Sequence, residues 1–329
     1  MPHANVLRTA AATLLALFIA VAPATAQAPP PPEEDGITAA TYLELQLSSE
    51  PAAKLVLSQS LTFPFLRGSG PLTSENNITT VFSAEFTPVS LNGVGEINWT
   101  PAAFFVLSGG GMAGSGWNMP LGYGIGINRG DRDEPSPADP PQRSRVDGNA
   151  FDGLTWNAWG AATLQFDTGA VIPGYWNHVL FQTRHEFRYV AYTGAGPGQS
   201  WVFENDFREN QNGWRYRASY VIGYYMPLSP LLNVVAFMAE LDTPLYNTPS
   251  GEFWGANLGY WIFSSFLNFS FTPRLNALFA VQMHTRRNHG TRNFNTTDYF
   301  YRDLALEREG GQRRVVFHRA ALVINYRLR

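Results

Sequence analysis

Arginine and carboxylate side chains stand two residues apart at several places in the chain. Arg184, Glu186 and Arg188 form one such series, and Glu240 with Asp242 forms another. Side chains two residues apart lie on one face of a β-strand, so these groups would face a common space. Guanidinium groups gathered in a narrow channel would attract anions, because low-dielectric walls focus the field of fixed charges. The residues that we predict to line such a lumen are Arg184, Glu186, Arg188, Arg215, Arg217, Glu240, Asp242, Arg286, Arg313 and Arg319.

The arginines allow two interpretations of this lumen. In the first, five of them meet at one mouth, which is then basic and favours small anionic solutes. These five are Arg188, Arg215, Arg217, Arg286 and Arg313. In the second, the carboxylates of the lumen pair with the arginines and plug a small barrel. The carboxylates concerned are Glu85, Glu96, Glu186, Glu240 and Asp242.

The other chemically active residues favour neither an enzyme nor a cofactor protein. The six His residues lack the spacing of a zinc site, and the chain contains no Cys. The glycine-rich run 109–116 lacks the Lys-Ser/Thr ending of a phosphate loop. A net charge of −3 gives no reason to expect nucleic acid as a partner. We therefore predict no catalytic residues, no cofactor and no metal.

Alternation of apolar and polar residues indicates strands that would position the charged side chains. In 231–245, Phe237 and Leu241 share one face, while Glu240 and Asp242 share the other. A strand needs roughly 9–11 residues to cross the hydrocarbon of a bilayer, with apolar side chains toward lipid and polar ones toward the lumen. The pattern is typical of an all-β fold, a membrane-spanning antiparallel up-and-down β-barrel.

Ten strands are predicted from runs of this kind that Gly, Pro, Asn and Ser residues bound. They cover 53–66, 77–88, 94–109, 151–167, 175–192, 213–227, 231–245, 254–272, 274–288 and 312–328. Adding 41–50 and 299–306 gives an alternative of twelve strands. We prefer ten, because that way of counting twelve moves the long segments 110–150, 193–212 and 289–311 to the periplasmic end. Bacterial barrels keep their long loops outside.

In two of these strands, the assignment of residues to the lipid face or the lumen face needs separate treatment. In 312–328 we assign His318 to the lipid-facing set and Arg319 to the lumen. In 254–272 the apolar residues change phase, which a β-bulge near Ser264 and Ser265 would reconcile. On the rim, Arg287 and Arg314 are predicted to point outward, where a lipid phosphate is the expected partner.

The N-terminal residues have the features of an export signal. Arg8 precedes a short apolar stretch, which residues 24–26 end with Ala-Thr-Ala. We predict a signal peptide over 1–26, a periplasmic linker over 27–40 and an outer-membrane β-barrel over 41–329. Charged residues make up only 15% of the chain and aromatic residues 14%. Few charges and many rings are what half-apolar strands in lipid would produce.

Signal peptide, alternating strands and loops of unequal length make the chain resemble bacterial outer-membrane β-barrel proteins. The strings FTPVSLNG and AGSGW, with the basic C-terminus, resemble most those of spirochaete barrels of unassigned role. Members of such families usually end on an aromatic residue, whereas this chain ends Tyr326-Arg327-Leu328-Arg329. The resemblance implies the outer membrane of a diderm, Gram-negative-type bacterium, with the barrel-assembly machinery and outer-membrane lipids as partners.

Ten strands is also the size of the omptin-like surface proteases, whose sites combine paired Asp residues with an Asp-His couple at the outer rim. Asp242 lies near the predicted rim, but no His follows within two residues, and strands 77–88 and 94–109 hold no matching Asp pair. A barrel phospholipase would need a lipid-facing Ser-His couple, and we interpret His185 and His318 as interfacial residues instead. We therefore predict that the protein is not an enzyme.

Two functions then fit the sequence. The first, which we favour, is a narrow porin-like channel for small solutes with anion preference. The alternative is a surface-exposed barrel with a plugged lumen, whose extracellular loops bind a host, matrix or lipid partner.

Overall fold

The computed structural model describes residues 36–49, 52–119, 124–129, 145–172, 174, 176–199, 201–204, 206–226, 231–245, 259–287 and 313–329. For residues 128, 129, 145–147, 206–209, 286, 287, 313 and 314 it describes the backbone alone. The predicted signal peptide, most of the predicted linker and segment 299–306 lie outside the described residues. No helix in the described part of the chain is both long enough and apolar enough to cross a membrane.

Sixteen strands are assigned in the described residues, and twelve of them close into an antiparallel barrel. The barrel strands are β1 (Thr38–Ser48), β2 (Ala52–Pro64), β3 (Asn77–Thr87), β4 (Ser90–Ala102), β5 (Phe105–Gly116), β8 (Thr155–Asp167), β9 (Val179–Tyr192), β12 (Gly213–Tyr225), β13 (Leu232–Pro244), β14 (Tyr260–Thr272), β15 (Leu275–Arg287) and β16 (Arg313–Arg327). The other strands are β6 (Ile125–Arg129), β7 (Arg145–Asp147), β10 (Trp201–Phe203) and β11 (Asp206–Asn210), which form a separate sheet. The predicted all-β barrel is confirmed, and its strand number is the alternative of twelve.

The preferred count of ten was wrong at two places. The predicted strand 94–109 belongs to two strands, β4 and β5, which the turn 103–104 joins. Its glycines hid the second strand because they show no apolar alternation. A Cβ at Gly110 would lie 2.4 Å from Cζ2 of Trp159, so the wall has no room there for a side chain. The second place is the N-terminus, where β1 begins at Thr38 and includes the last residues of the predicted linker.

Pairing of β1 with β16 closes the barrel. Their register runs from Tyr42 opposite Arg327 to Ser48 opposite Ala321. Because the strands are antiparallel and even in number, both ends of the barrel domain lie at one end, which we call the termini end. The connections 117–154, 193–212, 245–259 and 288–312 all leave from the opposite end, which we call the loop end. The argument against twelve strands therefore fails. Strand β1 alone would move the long connections to the termini end, but the second added strand, which the turn 103–104 creates, moves them back to the loop end.

Side chains alternate between the outer wall and the lumen as the sequence predicts. On β9, Phe181 and Phe187 are 44% and 54% exposed on the outer wall, while Gln182 and Glu186 are buried toward the lumen. On β12 and β13, Trp214, Ile222 and Phe237 face outward in the same way. Outward rings also pack on each other, as Phe237 does on Phe263 with 6.3 Å between ring centroids.

A break in alternation lies in the middle of β16, and none lies in the middle of β14. Gln282 pairs with Arg319, but the next residue of β15, Met283, pairs with Phe317, so His318 is the extra residue of a β-bulge. His318 is therefore buried inside and stacks on His284, which corrects its assignment to the lipid-facing set. The predicted bulge is absent near Ser264 and Ser265, since β14 pairs regularly with β15 from Ile262 to Ser270 and the register shifts only between Ser270 and Thr272. Its apparent phase change comes from apolar residues on the lumen side.

Strands β6, β7, β10 and β11 form what we call the inner sheet, in the order β11-β10-β6-β7. They belong to the connections 117–154 and 193–212 at the loop end. Its residues Ile125, Trp201 and Phe203 are almost fully buried and pack on the lumen-facing Met112 and Trp159 of the wall. Two long connections therefore fold into the barrel and narrow its lumen at the loop end.

We expect Phe237→Arg to impair assembly of the barrel. Phe237 lies near the middle of β13 on the outer wall, where an arginine facing lipid costs roughly 2–4 kcal/mol. The measurement is the folded yield in lipid vesicles, read as the band that migrates faster on a denaturing gel before boiling. Phe237→Leu is the control and should fold normally. Equal yields for both variants would show that this wall does not face lipid.

Candidate lumen site

Seven of the predicted lumen residues come together on three neighbouring strands near the loop end. We call this group the charged patch: Arg184, Glu186, Arg188, Arg215, Arg217, Glu240 and Asp242. They lie on β9, β12 and β13, which are hydrogen-bonded neighbours in the barrel. Arg188 lies opposite Arg215, Glu186 opposite Arg217, and Arg217 opposite Asp242. The charged residues that alternate along each strand thus also lie opposite charged residues of the neighbouring strand.

Glu186 forms the first centre of the patch. Its Oε1 accepts a hydrogen bond from Nε of Arg188 at 2.6 Å, and its Oε2 accepts one from Nη2 of Arg184 at 3.1 Å. Arg184 also donates to Oγ of Ser108 at 3.3 Å, and Arg188 donates to Oδ1 of Asn157 at 3.1 Å. One carboxylate therefore holds two arginines of its own strand in fixed positions against the neighbouring wall.

Asp242 forms the second centre. Nε and Nη2 of Arg215 both lie 2.8 Å from its Oδ1, and Nε of Arg217 lies 2.9 Å from its Oδ2. The phenol of Tyr260 donates to the same Oδ2 at 3.2 Å. Asp242 and Arg215 are 6% and 5% exposed, so this ion pair is nearly dry. A buried pair of this kind is costly to break, because either partner alone would be a buried charge.

The pairing of opposite charges explains how two arginines can stand side by side. Arg188 and Arg215 are direct cross-strand neighbours, and like charges in such positions destabilise a sheet. Each is neutralised by its own carboxylate, Glu186 or Asp242. The guanidinium of Arg188 also lies 4.4 Å from the ring centre of Trp159, a cation–π contact. The charges of the patch are therefore paired, which is the arrangement of charges in the second interpretation of the sequence.

The remaining predicted lumen residues lie elsewhere. Arg319 is fully buried near the middle of β16, where its Nε donates to Oε1 of Gln282 at 2.6 Å. Arg286 and Arg313 lie at the loop end of β15 and β16, and their side chains are not among those described. Their proposed place at a common basic mouth stays a prediction.

A second polar centre lies on the other side of the lumen, and of its members the sequence analysis named only Glu85. Nζ of Lys54 lies 3.3 Å from Oε2 of Glu85 and 3.5 Å from Oε2 of Glu204. On β1, Glu44 accepts a hydrogen bond from Gln46 at 2.5 Å. The alternation of β2 could have identified Lys54, whereas no local pattern marks Glu204, which lies just after β10 of the inner sheet.

Toward the termini end, the wall below the charged patch is apolar on its lumen side. Its buried members are Leu180, Val221, Val234, Ala236, Met238, Phe266, Leu278, Ala280, Ala321 and Val323. Met238 and Phe266 are 0% and 2% exposed, so water does not reach them. The opposite wall carries hydroxyl groups, with Ser58 hydrogen-bonded to Ser83 and Thr62 to Thr79, each at 2.9 Å. The lumen therefore has one packed apolar side and one polar side.

On the outer wall, His185 is a polar residue near the middle of β9. Its Nδ1 lies 2.7 Å from the hydroxyl of Tyr216, and its Nε2 lies 3.1 Å from Oγ1 of Thr183. Both ring nitrogens thus have hydroxyl partners within the wall, and the ring also contacts Tyr220. These bonds lower the cost of a polar group at mid-wall. The position corrects the interpretation of His185 as interfacial.

Nothing in the described residues forms a group of three or more His, Cys, Asp or Glu side chains that could hold a metal ion. The charged patch instead suits hydrogen bonding to a solute or to its own counter-ions.

Comparisons with known proteins identify no family. No protein-family model matches the chain, and no curated protein gives a significant match. Among solved structures, the chain is similar to the KdgM porin at 8% identity and a TM-score of 0.36, and to the NanC porin at 8% and 0.40. Both alignments cover 87% of this chain and 98% of the other. Scores this low do not identify a shared function.

The similarity extends to barrels with other roles. The translocator domain of the autotransporter NalP from Neisseria meningitidis matches at 10% identity and a TM-score of 0.35, over 97% of this chain and 96% of that one. The resemblance to spirochaete barrels stays a prediction.

We expect Asp242→Asn to lower the stability of the folded barrel by about 3 kcal/mol, because Arg215 and Arg217 lose their shared buried counter-ion. The measurement is the free energy of unfolding in urea, with the protein in lipid vesicles. Asp167→Asn is the matched control, since the Asp167–His178 pair at the termini end is partly exposed and should contribute about 1 kcal/mol or less. Similar losses in the two variants would contradict a structural role for the second centre.

Proposed function

We propose that the protein is an outer-membrane β-barrel that acts as a narrow channel for small solutes with anion preference. Its residence in a membrane is supported by the outer wall, where large apolar side chains are exposed all around the barrel. Examples from five strands are Leu57, Phe82, Leu164, Ile222 and Phe279. Soluble monomers do not expose a continuous apolar surface of this extent. Closure of the barrel also pairs the backbone groups of every strand, which a lipid environment requires.

The outer membrane is the location that goes with this architecture. Closed antiparallel barrels with long connections at the end opposite both termini are typical of bacterial outer membranes. Outer-membrane lipids around the apolar wall and the barrel-assembly machinery are then the expected partners. The signal peptide predicted over 1–26 supports export to the same compartment.

The anion preference rests on one observation, the balance of charge in the patch. Its arginines, Arg184, Arg188, Arg215 and Arg217, outnumber its carboxylates, Glu186, Glu240 and Asp242, by one. The side chains of Arg184, Arg188 and Arg217 keep 12%, 16% and 17% of their surface accessible, whereas that of Glu186 keeps 3%. A solute that reaches the charged patch therefore meets guanidinium groups more than carboxylates, and we expect a positive local potential there.

The passage for solutes is narrow. The inner sheet occupies part of the lumen at the loop end, and the apolar side chains on β12 to β16 fill one side nearer the termini end. We place the polar route for solutes along the hydroxyl-lined side, with Ser58, Ser83 and Thr79. We therefore expect a small conductance and selection for small solutes.

The same inner sheet supports a second candidate function. If the packed side chains leave no continuous route, the barrel presents its connections at the loop end to a host, matrix or lipid partner while the lumen stays plugged. Bilayer recordings distinguish the two functions, because the plugged barrel would insert without conducting.

We expect a folded wild-type barrel in a planar bilayer to show an anion-selective reversal potential in a salt gradient. Arg184→Gln combined with Arg188→Gln should shift that potential toward cations, because the patch then keeps its three carboxylates but only two of its four arginines. The double variant with Lys at both positions is the control and should keep the anion preference. Salt above about 1 M, where the Debye length is roughly 3 Å, should weaken it. Cation selectivity in the wild type would refute the anion preference, and a folded barrel without conductance would favour the second candidate.

A further inference from the structure

One carboxylate fastens the inner sheet to strands β2 and β4 of the barrel wall. Glu204 follows β10 directly and is 0% exposed. Its Oε1 accepts hydrogen bonds from Oγ of Ser90 at 2.7 Å and from Nδ2 of Asn92 at 2.6 Å, and its Oε2 lies 3.5 Å from Nζ of Lys54. Ser90 and Asn92 are on β4 and Lys54 is on β2, so one loop side chain connects to two strands of the barrel.

The backbone at this point is held in a conformation that glutamate rarely adopts. Glu204 has φ of 54°, in the left-handed region that disfavours residues with a side chain. Its N–H donates to the carbonyl of Gly124, beside β6, at 2.9 Å. Such a conformation persists only where surrounding contacts impose it, and here they are the contacts of the carboxylate with the wall and of the backbone with β6.

Lys54 makes this attachment reversible. It is shared between Glu204 and Glu85, which lies on the adjacent strand β3 at 3.3 Å. If Glu204 leaves, Lys54 keeps Glu85 as a counter-ion, so the wall is not left with an unpaired buried charge. Glu204 itself would gain water at the loop end. Release therefore avoids the large penalty that breaking a buried pair normally carries.

Movement of the inner sheet would also reach the charged patch. Phe203, next to Glu204, belongs to the same packed cluster as Trp159. Trp159 in turn supports the guanidinium of Arg188 through their cation–π contact. Displacement of the sheet would thus remove packing from one side of Trp159 and free Arg188 to turn further into the lumen.

We propose that Glu204, with Lys54, Ser90 and Asn92 as its receptor, is a latch that holds the inner sheet in the lumen, and that its release opens the channel. The inference rests on the proposed channel function and adds its regulation. In this structure the latch is engaged and the inner sheet narrows the lumen.

The test uses Glu204→Ala and Glu204→Gln in a chain that otherwise contains no Cys. Loss of one charge-assisted contact should raise the population of the released state roughly tenfold. A reporter thiol at Ser58→Cys, on the lumen side of β2 below Lys54, measures access independently of conduction. We expect faster labelling of this thiol by a water-soluble maleimide, together with larger single-channel conductance. Glu75→Ala, which removes an exposed carboxylate at the termini end, is the matched control and should change neither quantity.

A wall-side variant keeps the proposal testable if Glu204 variants fold poorly. Ser90→Ala combined with Asn92→Ala leaves Glu204 in place but removes both of its hydrogen-bond donors on β4. It should release the sheet in the same way. In a third variant, Ser90→Cys with Glu204→Cys, a short bis-methanethiosulfonate forms a disulfide with each thiol and releases methanesulfinate. This cross-link should reverse the gain in conductance, and reduction of the two disulfides should restore the gain.

The outcomes separate the latch from the channel. Faster labelling with larger conductance supports both, and faster labelling in barrels that never conduct supports the latch while refuting the channel. Labelling and conductance equal to those of Glu75→Ala, in variants that show the mobility shift of a folded barrel on a gel, would overturn the latch.

Discussion

Pairing of β1 with β16 is the contact on which the rest of the structure depends. Each strand of a membrane-facing sheet must find hydrogen-bond partners on both edges, because an open edge would expose backbone groups to lipid. The pairing from Tyr42 with Arg327 to Ser48 with Ala321 removes the last two edges. Once the barrel is closed, every strand has a defined inner and outer face. The inward positions of polar residues, and the loop end from which the long connections leave, follow from that closure.

In a closed barrel of this kind, charged side chains come to lie inside the lumen. Every second residue of each strand points inward, and the register of β9, β12 and β13 places Arg188 opposite Arg215 and Arg217 between Glu186 and Asp242. Such a cluster can exist in a confined space only if counter-ions come with it. Glu186 and Asp242 each serve two arginines, and the hydroxyl of Tyr260 and the amide of Asn157 complete the set. The same groups thus stabilise the wall and determine the potential that a solute would meet.

The inner sheet is held in the lumen by two kinds of contact, one apolar and one polar. Apolar packing against Met112, Trp159 and Tyr192 holds the bulk of the sheet, while Glu204 provides a directional attachment to β4 and β2. Apolar contacts tolerate sliding, whereas a carboxylate between a serine, an asparagine and a lysine has one favourable position. The polar contact of Glu204 therefore determines which position of the inner sheet is favoured. Buried polar groups commonly select one of several compact packings in this way.

The sequence by itself determined the fold class, the faces of most strands and the inward position of the charged patch, because these depend on alternation within single strands. Phe237 outward and Glu186 inward follow from period two alone. Only the tertiary structure decided the strand count, since β5 carries glycines that are needed for the ring of Trp159 beside Gly110 and not for any local pattern. It also decided the bulge at His318, which exists only in the pairing of β15 with β16. The partners of the arginines and of Glu204 were likewise outside the reach of sequence reasoning, because contacts between residues as distant as Lys54 and Glu204 depend on closure of the barrel and on the inward fold of a loop.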